Sequence, residues 1–419
     1  MADANSTAGS PAKESYRTYG YRWIVLVAFM LIAAMTQVAW ITFAPITSRA
    51  AEFFHTSDLL IGMLSMIFMV VYVIIVIPAA WAIDTLGFRT AVSIGAALTA
   101  VFAVTRGIFA ANFRLVFASQ IGLAIGQPFV MGAITRMAAR WFPPQERATA
   151  TGLGTLSMYL GILAGMLFTP MLILRHSIPS MLVVYGIVCA AAAVVFIALA
   201  RESPPTPPCP PGQDVRALMF DGLKSMLRMK DFILLMVIFF FGLGIFNGVS
   251  TWIEDIVRPR GFTIEQAGLL GGLMLIGGIV GAVVMPLFSD RFRKRTPFIL
   301  VSLAGMIPGL LGVTFAHSYW LLLASGAVFG FFLLSSGPIG FQYAAEITYP
   351  APEGTSNSLL IVMGQLAGIV FIYGMDALKS RATGSMTTPL LGLVVLMLVS
   401  LVLGALLRDS RPQVTKPNA

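Results

Sequence analysis

Apolar stretches of about 20 residues recur along almost the whole chain, and they decide what it can fold into. A helix rises ~1.5 Å per residue, so about 20 residues cross the ~30 Å hydrocarbon core of a bilayer. Hydrophobic residues make up 58% of the sequence and charged residues only 11%, a balance that soluble domains do not show. We therefore predict an all-α membrane protein with twelve transmembrane helices, over residues 23–46, 59–81, 88–109, 115–139, 148–173, 179–200, 231–257, 264–289, 296–317, 319–343, 355–377 and 386–407.

Polar segments bound and divide this series of helices. The first 22 residues are polar and lack a small-residue cleavage site after a short apolar core, so we expect the first helix to be retained. Residues 201–230 begin with RESPPTPPCPPGQD, which is too rich in proline for a helix. The predicted organisation is a tail (1–22), a six-helix half (23–200), a linker (201–230), a second six-helix half (231–407) and a second tail (408–419).

The second part of the linker reads DVRALMFDGLKSMLRMK. Apolar and basic residues alternate there at helical spacing, which predicts a helix along the inner membrane surface. A calmodulin target is the alternative for such a basic amphipathic segment.

The net charge of +9 indicates orientation rather than a nucleic-acid partner. With the N-terminus in the cytoplasm, most Lys and Arg residues fall in inner segments, which is the positive-inside pattern. Both tails and the linker are therefore predicted to be cytoplasmic. We expect a multi-pass protein of the cell (plasma or inner) membrane, surrounded by the lipid bilayer and without nucleic acid.

The sequence offers no residue set for metal, cofactor or catalytic chemistry. Cys189 in span six and Cys209 in the linker are too few for a disulfide framework or a cysteine metal cluster. The three histidines, His55, His176 and His317, fall at predicted outer loops. We expect no cofactor, no metal site and no enzymatic activity.

Short loops recur between the two halves. IDTLGFRT (83–90) follows span two and SDRFRKRT (289–296) follows span eight, so Asp84 and Arg89 correspond to Asp290 and Arg295. WFPPQERATATG (141–152) and TYPAPEGTSNSL (348–359) recur at nearly the same offset. These matches predict a duplicated six-helix unit, with the halves related by an axis along the membrane normal.

This pattern resembles the major facilitator superfamily, whose members carry an Asp-x-x-Gly-x-Arg loop between spans two and three. Here the motif is Asp84, Gly87 and Arg89, with Asp290 and Arg295 in its second copy. An acid and a base at helix ends can lock the inner face and must release when that face opens. For the neighbouring Arg293 and Lys294, a role in topology under the positive-inside rule is favoured over a role in the gate.

Two stretches resemble, within that superfamily, the feline leukaemia virus subgroup C receptor family and its bacterial relatives. They are GQPFVMGAITRMAARWFPPQERATATG (126–152) and GFQYAAEITYPAPEGTSNSLL (340–360). The resemblance implies a transporter of small organic solutes, with vertebrate members associated with choline, ethanolamine and haem. It also implies an aromatic cage with nearby amides that holds a quaternary ammonium group.

Half of that cage is changed in this chain. Trp40 matches the family's span-one tryptophan and Gln365 its span-eleven glutamine. Asn247 stands in place of a span-seven aromatic residue and Tyr159 in place of a span-five glutamine. Choline therefore does not transfer by resemblance, and Asn247, expected opposite Trp40, is where specificity should differ.

Polar residues form a stripe on span seven. At 100° per residue, Asn247, Thr251, Glu254 and Arg258 share one face of a continuous helix. Glu254 and Arg258 at this spacing predict an ion pair near the outer surface, with an outer gate, a cation-attracting mouth or proton coupling as roles for Glu254. Asp255 points about 100° away and is expected to meet water or Arg260.

Each remaining candidate has a structural alternative. Trp40 is either a cation–π wall or an interfacial belt residue, and Gln37 one turn earlier favours the cavity side. Gln365 either contacts substrate or bonds another helix, and Gln127 is expected in or near the cavity. Arg106 is either an internal charge or a side chain that reaches the outer surface.

Together these features predict a monomeric secondary transporter with alternating access. Its substrate would be a small polar organic metabolite, cationic or zwitterionic, with or without a coupling proton or other ion. An organic-anion exporter with Arg106 as counter-charge, a proton-coupled carboxylate carrier, and a membrane sensor or receptor without transport remain the alternatives.

Overall fold

The computed structural model describes residues 17–208, 226–349 and 353–408. Twelve helices in these ranges are long and apolar enough to cross a membrane, which confirms the predicted number. Numbered one to twelve, the spans are Tyr21–Phe54, Asp58–Leu86, Phe88–Ile108, Phe113–Trp141, Pro144–Arg175, Ile178–Leu199, Lys230–Thr251, Ile264–Phe292, Thr296–Phe315, Tyr319–Thr348, Ser356–Ala377 and Thr387–Ala405.

Three of these segments contain or precede a break. Span one consists of the helix Tyr21–Ile41, a turn at Ala44–Ile46 that contains a proline, and the helix Thr47–Phe54. Span four is interrupted between the helices Phe113–Met131 and Ile134–Trp141. Span seven is followed by the short helix Ile253–Val257 and the turn Arg258–Arg260. The continuous helix predicted over 231–257 is therefore wrong, because it ends at Thr251.

Within each half, glycines let helices approach closely. A Cβ at Gly95 in span three would lie 2.6 Å from the carbonyl oxygen of Gly126 in span four. In the second half, a Cβ at Gly309 in span nine would lie 2.6 Å from the backbone of Phe329 in span ten. Close backbone approach at small residues is a main source of helix association in lipid.

The two halves meet through spans two, five, eight and eleven. A Cβ at Gly268 in span eight would lie 2.5 Å from the carbonyl oxygen of Met166 in span five. That carbonyl has no helical N–H partner four residues on, because Pro170 occupies the position. Met166 lies towards the end of span five and Gly268 near the start of span eight. Both are therefore at the end of the bundle opposite Tyr21, where span one begins. This end of the bundle, predicted to face outwards, is called the outer end below.

The start of the linker is bound to the first half. Glu202 accepts hydrogen bonds from the backbone N–H groups of Phe88 (3.2 Å) and Arg89 (2.8 Å), so its carboxylate caps span three. Trp141 donates its indole N–H to the carbonyl oxygen of Arg201. Most of the helix predicted in the second part of the linker lies outside the described residues.

Candidate functional site

Five ionisable side chains meet at the outer end, and we call them the outer charge cluster: Asp58, Glu254, Asp255, Arg258 and Lys379. Arg258 Nη2 lies 2.6 Å from Asp58 Oδ2 and 2.9 Å from Asp255 Oδ1. Lys379 Nζ lies 2.8 Å from Asp58 Oδ2 and 2.6 Å from Asp255 Oδ1. Two acids thus share two bases, and Glu254 adds a third carboxylate 3.8 Å from Arg258.

The outer charge cluster joins the two halves. Asp58 begins span two of the first half, whereas Arg258 and Lys379 follow spans seven and eleven of the second. Glu254 accepts a 2.6 Å hydrogen bond from the backbone N–H of Ser48, again across the boundary. Ionic contacts of this kind can separate and reform without repacking a core.

An apolar contact lies beside these charges. Trp252 is fully buried, and its indole N–H donates to the carbonyl oxygen of Ile372 at 3.0 Å. A Cβ on Gly62 of span two would lie 2.6 Å from the Trp252 ring, so the ring fills the space that the glycine leaves. Lys379 Nζ sits 6.0 Å from the centre of the same ring. The outer end is therefore closed by both packing and ion pairs.

The expectation for Asp255 is wrong. Its side chain is 0% exposed and contacts Arg258 and Lys379 rather than water, while Arg260 donates to the carbonyl oxygens of Ala316 and Ile256. The helix break after Thr251 is the cause, since the face assignment assumed one continuous helix. The predicted Glu254–Arg258 pair is present at 3.8 Å.

Burial dominates the ionisation of Asp255. Loss of solvent raises the pKa of Asp255 to about 7, although Lys379 and Arg258 pull it down. Asp58 and Glu254 add like charge and raise it further. Asp255 Oδ2 is buried and has no hydrogen-bond partner in the described ranges. With three carboxylates against two cations, one bound proton would neutralise the outer charge cluster.

At the inner end, ion pairs stay within one half. Arg295 pairs with Asp290 and, at 2.9 Å, with Glu346, all in the second half. Asp84 and Arg89 in the first half are exposed, and neither side chain has an ion pair among the described residues. Arg22 and Glu146 pair at 3.0 Å within the first half. No salt bridge between described residues joins the halves at this end.

Trp40 is not an interfacial belt residue. It is 6% exposed, and its indole N–H is buried without a hydrogen-bond partner among the residues that the structure describes. Its carbonyl oxygen accepts from Ser65 of span two at 3.2 Å. A buried indole N–H without an acceptor is costly, so the group fits a site that a ligand or water completes.

Three further predicted site residues keep their polar groups unbonded. Gln127, Tyr159 and Gln365 make no hydrogen bond among the described residues, so the alternative of an interhelical bond for Gln365 is not realised in this conformation. Gln37 makes two long contacts through Nε2, to Thr36 Oγ1 at 3.4 Å and to the Met131 sulfur at 3.6 Å. Spans one, four, five and eleven thus contribute polar groups that remain available.

Asn247 lies at the boundary between the halves but bonds to its own half. Its amide donates to the carbonyl oxygen of Gly364 in span eleven at 3.2 Å. A Cβ on Gly368 would lie 2.9 Å from that amide and also meet Met69 of span two. Asn247 is 8% exposed, so its amide is committed mainly to span eleven.

Arg106 does not reach the surface, so that alternative is wrong. It is 0% exposed, and its Nη1 donates to Gln120 Oε1 at 2.9 Å and to the carbonyl oxygen of Ala39 at 3.2 Å. Gln120 in turn donates to the carbonyl oxygens of Ala39 and Leu64. Arg106 and Gln120 therefore fix the backbone next to Trp40.

Sequence reasoning missed four residues: Asp58, Lys379, Gln120 and Glu202. Asp58 follows a Ser N-cap and reads as an ordinary first-turn acid. Lys379 lies in a short polar segment, and its role depends on contacts with Asp58 and Asp255, which are distant in the sequence. The one signal for Lys379 was its place at an outer end, because the positive-inside pattern leaves few basic residues there and each of them is a candidate for a specific role.

No group of His, Cys, Asp and Glu residues in the described ranges is arranged to hold a metal ion.

Comparisons with known proteins agree with this architecture. The model of the Major Facilitator Superfamily matches residues 25–371 and 254–419. Solute carrier family 49 member A3 of Xenopus tropicalis is 30% identical over 384 residues, which cover 87% of this chain and 79% of that protein. The choline/ethanolamine transporter FLVCR1 of Felis catus is 29% identical over 409 residues, covering 91% and 70%.

A solved structure shares the fold. It is the crystal structure of a bacterial homolog of the human lysosomal transporter Spinster, in an inward-facing and unoccupied conformation. The TM-score is 0.71 at 17% sequence identity, with 93% of this chain and 96% of that chain covered. The comparisons confirm the predicted fold class and both resemblances that the sequence motifs indicated.

Proposed function

The chain belongs to the major facilitator superfamily, and on that premise we propose that it is a secondary transporter that works by alternating access. Residues 20–200 rock against residues 231–408 around a central site. The substrate is a small polar organic metabolite, cationic or zwitterionic. The protein acts as a monomer in the cell membrane.

The observation that carries this proposal is the outer charge cluster. Asp58 of the first half holds Arg258 and Lys379 of the second through contacts of 2.6 and 2.8 Å. A static receptor does not need ion pairs between its halves that can break and reform, whereas a transporter must open and close the boundary between its halves. The inner ion pairs between described residues each stay within one half, which supports a conformation closed outside and open inside.

The substrate class is supported by the residues around the proposed site. Trp40 offers an aromatic face for a cation, and Gln127, Tyr159 and Gln365 offer polar groups without hydrogen-bond partners among the described residues. Relatives named as choline/ethanolamine transporters act on small organic cations. Asn247 and Tyr159 depart from that family's cage, so we propose a related compound rather than choline itself.

Arg106 speaks against an organic-anion carrier. A counter-charge must face the substrate, but this guanidinium is 0% exposed and its Nη1 is bonded to Gln120 and Ala39, although Nε and Nη2 have no hydrogen-bond partner among the described residues. Proton coupling is the second candidate, since the pKa of Asp255 is raised to about 7 within a cluster that bridges the halves.

The test is uptake into proteoliposomes that contain the purified protein. Labelled choline, ethanolamine and a panel of cationic and zwitterionic metabolites are offered with and without a pH gradient. We expect saturable uptake of at least one compound, and an Asp58→Asn variant with altered uptake of it. If no compound moves under any gradient, the transporter proposal fails and a sensor becomes the better description.

A further inference from the structure

Spans one, five and six line a groove of about 380 Å³ on the membrane-facing side of the first half. Span five contributes Ala164, Phe168, Met171 and Leu172, and span six contributes Val184 and Val188. Met35 and Val38 of span one form part of the lining as well. The groove is of a size that holds a small ligand, and its lining is almost wholly apolar.

The groove has the depth of one bilayer leaflet. Arg175, the last residue of span five, lies at its outer end, and Ala164 lies 11 residues before it. At 1.5 Å per residue these positions are ~16 Å apart along the helix, about half of a ~30 Å hydrocarbon core. The groove therefore extends from the headgroup level to about the middle of the membrane.

Hydrocarbon is the occupant that this lining accepts. The hydroxyl groups of Thr169 and Tyr185 bond to each other at 2.8 Å, so they present no free partner to water. Water needs two or more polar partners to stay in such a space, and an empty groove forfeits dispersion contacts. Phe168 and Val188 are exposed on the side that faces lipid, so an acyl chain can enter from the bilayer.

Arg175 adds a recognition group at the mouth. Its side chain is exposed and has no hydrogen bond or ion pair among the described residues. A guanidinium at headgroup level binds phosphate through two parallel N–H donors. Charge complementarity thus points to a phospholipid with its phosphate on Arg175 and its chain between spans five and six.

We propose that this groove is a binding site for one phospholipid of the outer leaflet. The bound chain packs on Met35 and Val38, directly before the span-one segment that Arg106 and Gln120 hold and that carries Trp40. The lipid thereby supports the wall of the proposed substrate site without contacting substrate. The proposal does not depend on transport and can be tested without it.

Native mass spectrometry of the detergent-purified full chain tests the site, with phosphatidylglycerol as the added lipid. We expect one lipid to remain bound at collision energies that remove the others. Arg175→Gln should weaken its binding about tenfold, the effect of one lost charge-assisted contact. Arg114→Gln, at another exposed outer-end arginine, is the control and should leave lipid binding unchanged.

Two variants fill the groove from opposite walls: Ala164→Leu on span five and Val184→Phe on span six. Val184 is 40% exposed, so its replacement is the safer one if Ala164→Leu fails to fold. A folded filling variant should lose the retained lipid. Retention of that lipid by a folded filling variant, or equal binding by Arg175→Gln and Arg114→Gln, would overturn the proposal.

Discussion

Asp58 and Arg258, 200 residues apart in the sequence, lie with Oδ2 and Nη2 2.6 Å apart across the boundary between the two halves. Lys379 shares the same carboxylate oxygen at 2.8 Å. Asp58 is thus the first-half side chain on which the ionic part of the outer closure depends.

Asp58→Asn should destabilise this conformation. The substitution removes the first-half charge that both bases contact, and lost hydrogen bonds to charged groups cost roughly 1.5–3 kcal/mol. We expect a lower thermal unfolding temperature for the purified protein. Asp84→Asn is the matched control, because this exposed carboxylate has no ion pair within the part of the chain that the structure describes. Equal unfolding temperatures for the two variants would show that the cluster does not hold the halves together.

The stability of the protein should depend on pH through Asp255. An acid whose pKa rises from 3.8 to about 7 on folding binds its proton more tightly in the folded protein. Its ionisation therefore costs stability as pH rises between these values, by up to about 1.4 kcal/mol per pH unit, and the cost is constant above about pH 7.

Asp255→Asn isolates this contribution, because the other titrating groups remain in both proteins. The free energy of unfolding of the native protein, relative to the variant, should fall as pH rises from about 5 to about 7 and then level off. Chemical unfolding across this range provides the measurement. A difference that does not change with pH would exclude Asp255 as the titrating group.

Trp40→Ala should weaken substrate binding far more than Trp40→Phe. The aromatic face contributes ~2 kcal/mol to a desolvated cation, a factor of about 30 in affinity, and phenylalanine keeps part of it. Binding of the compound found by the uptake assay, measured by calorimetry, gives the comparison. Equal losses in the two variants would assign Trp40 to packing instead.

Arg106→Gln should affect stability more than substrate affinity. The variant loses the bonds from Nη1 to Gln120 and to the Ala39 carbonyl and leaves unfilled volume, which costs roughly 1–3 kcal/mol. In the protein that folds, KM for a cationic substrate should stay within about threefold of the native value. A selective loss of anion transport would restore Arg106 as a counter-charge.

The architecture could be predicted from the sequence because the thickness of the bilayer fixes the length of each apolar span at about 20 residues. Runs of apolar residues identified the twelve spans, and the repeated loops around Asp84 and Asp290 identified the duplication. The spacing of Glu254 and Arg258 also predicted their pair correctly. Residues four apart face the same side in the short segment that follows Thr251, as they would in the continuous helix that was predicted.

The outer charge cluster could not be predicted in the same way. The break between Thr251 and Ile253 changes the direction in which Asp255 points. No proline or glycine at residues 251–253 marks this break in the sequence. Asp58 begins span two and Lys379 lies in the loop after span eleven, so only the assembled halves bring them together. The roles proposed for Asp84, Arg89, Asp290 and Arg295 in inner gating remain predictions for the opposite conformation.

Distances between spin labels in lipid nanodiscs test the central claim of alternating access most directly. One pair of labels replaces Glu52 and Thr383 at the outer end, and another replaces Gln145 and Arg293 at the inner end, all exposed positions. We predict that Asp58→Asn lengthens the outer distance and shortens the inner one. A single outer distance that neither Asp58→Asn nor a transported compound changes would contradict the account.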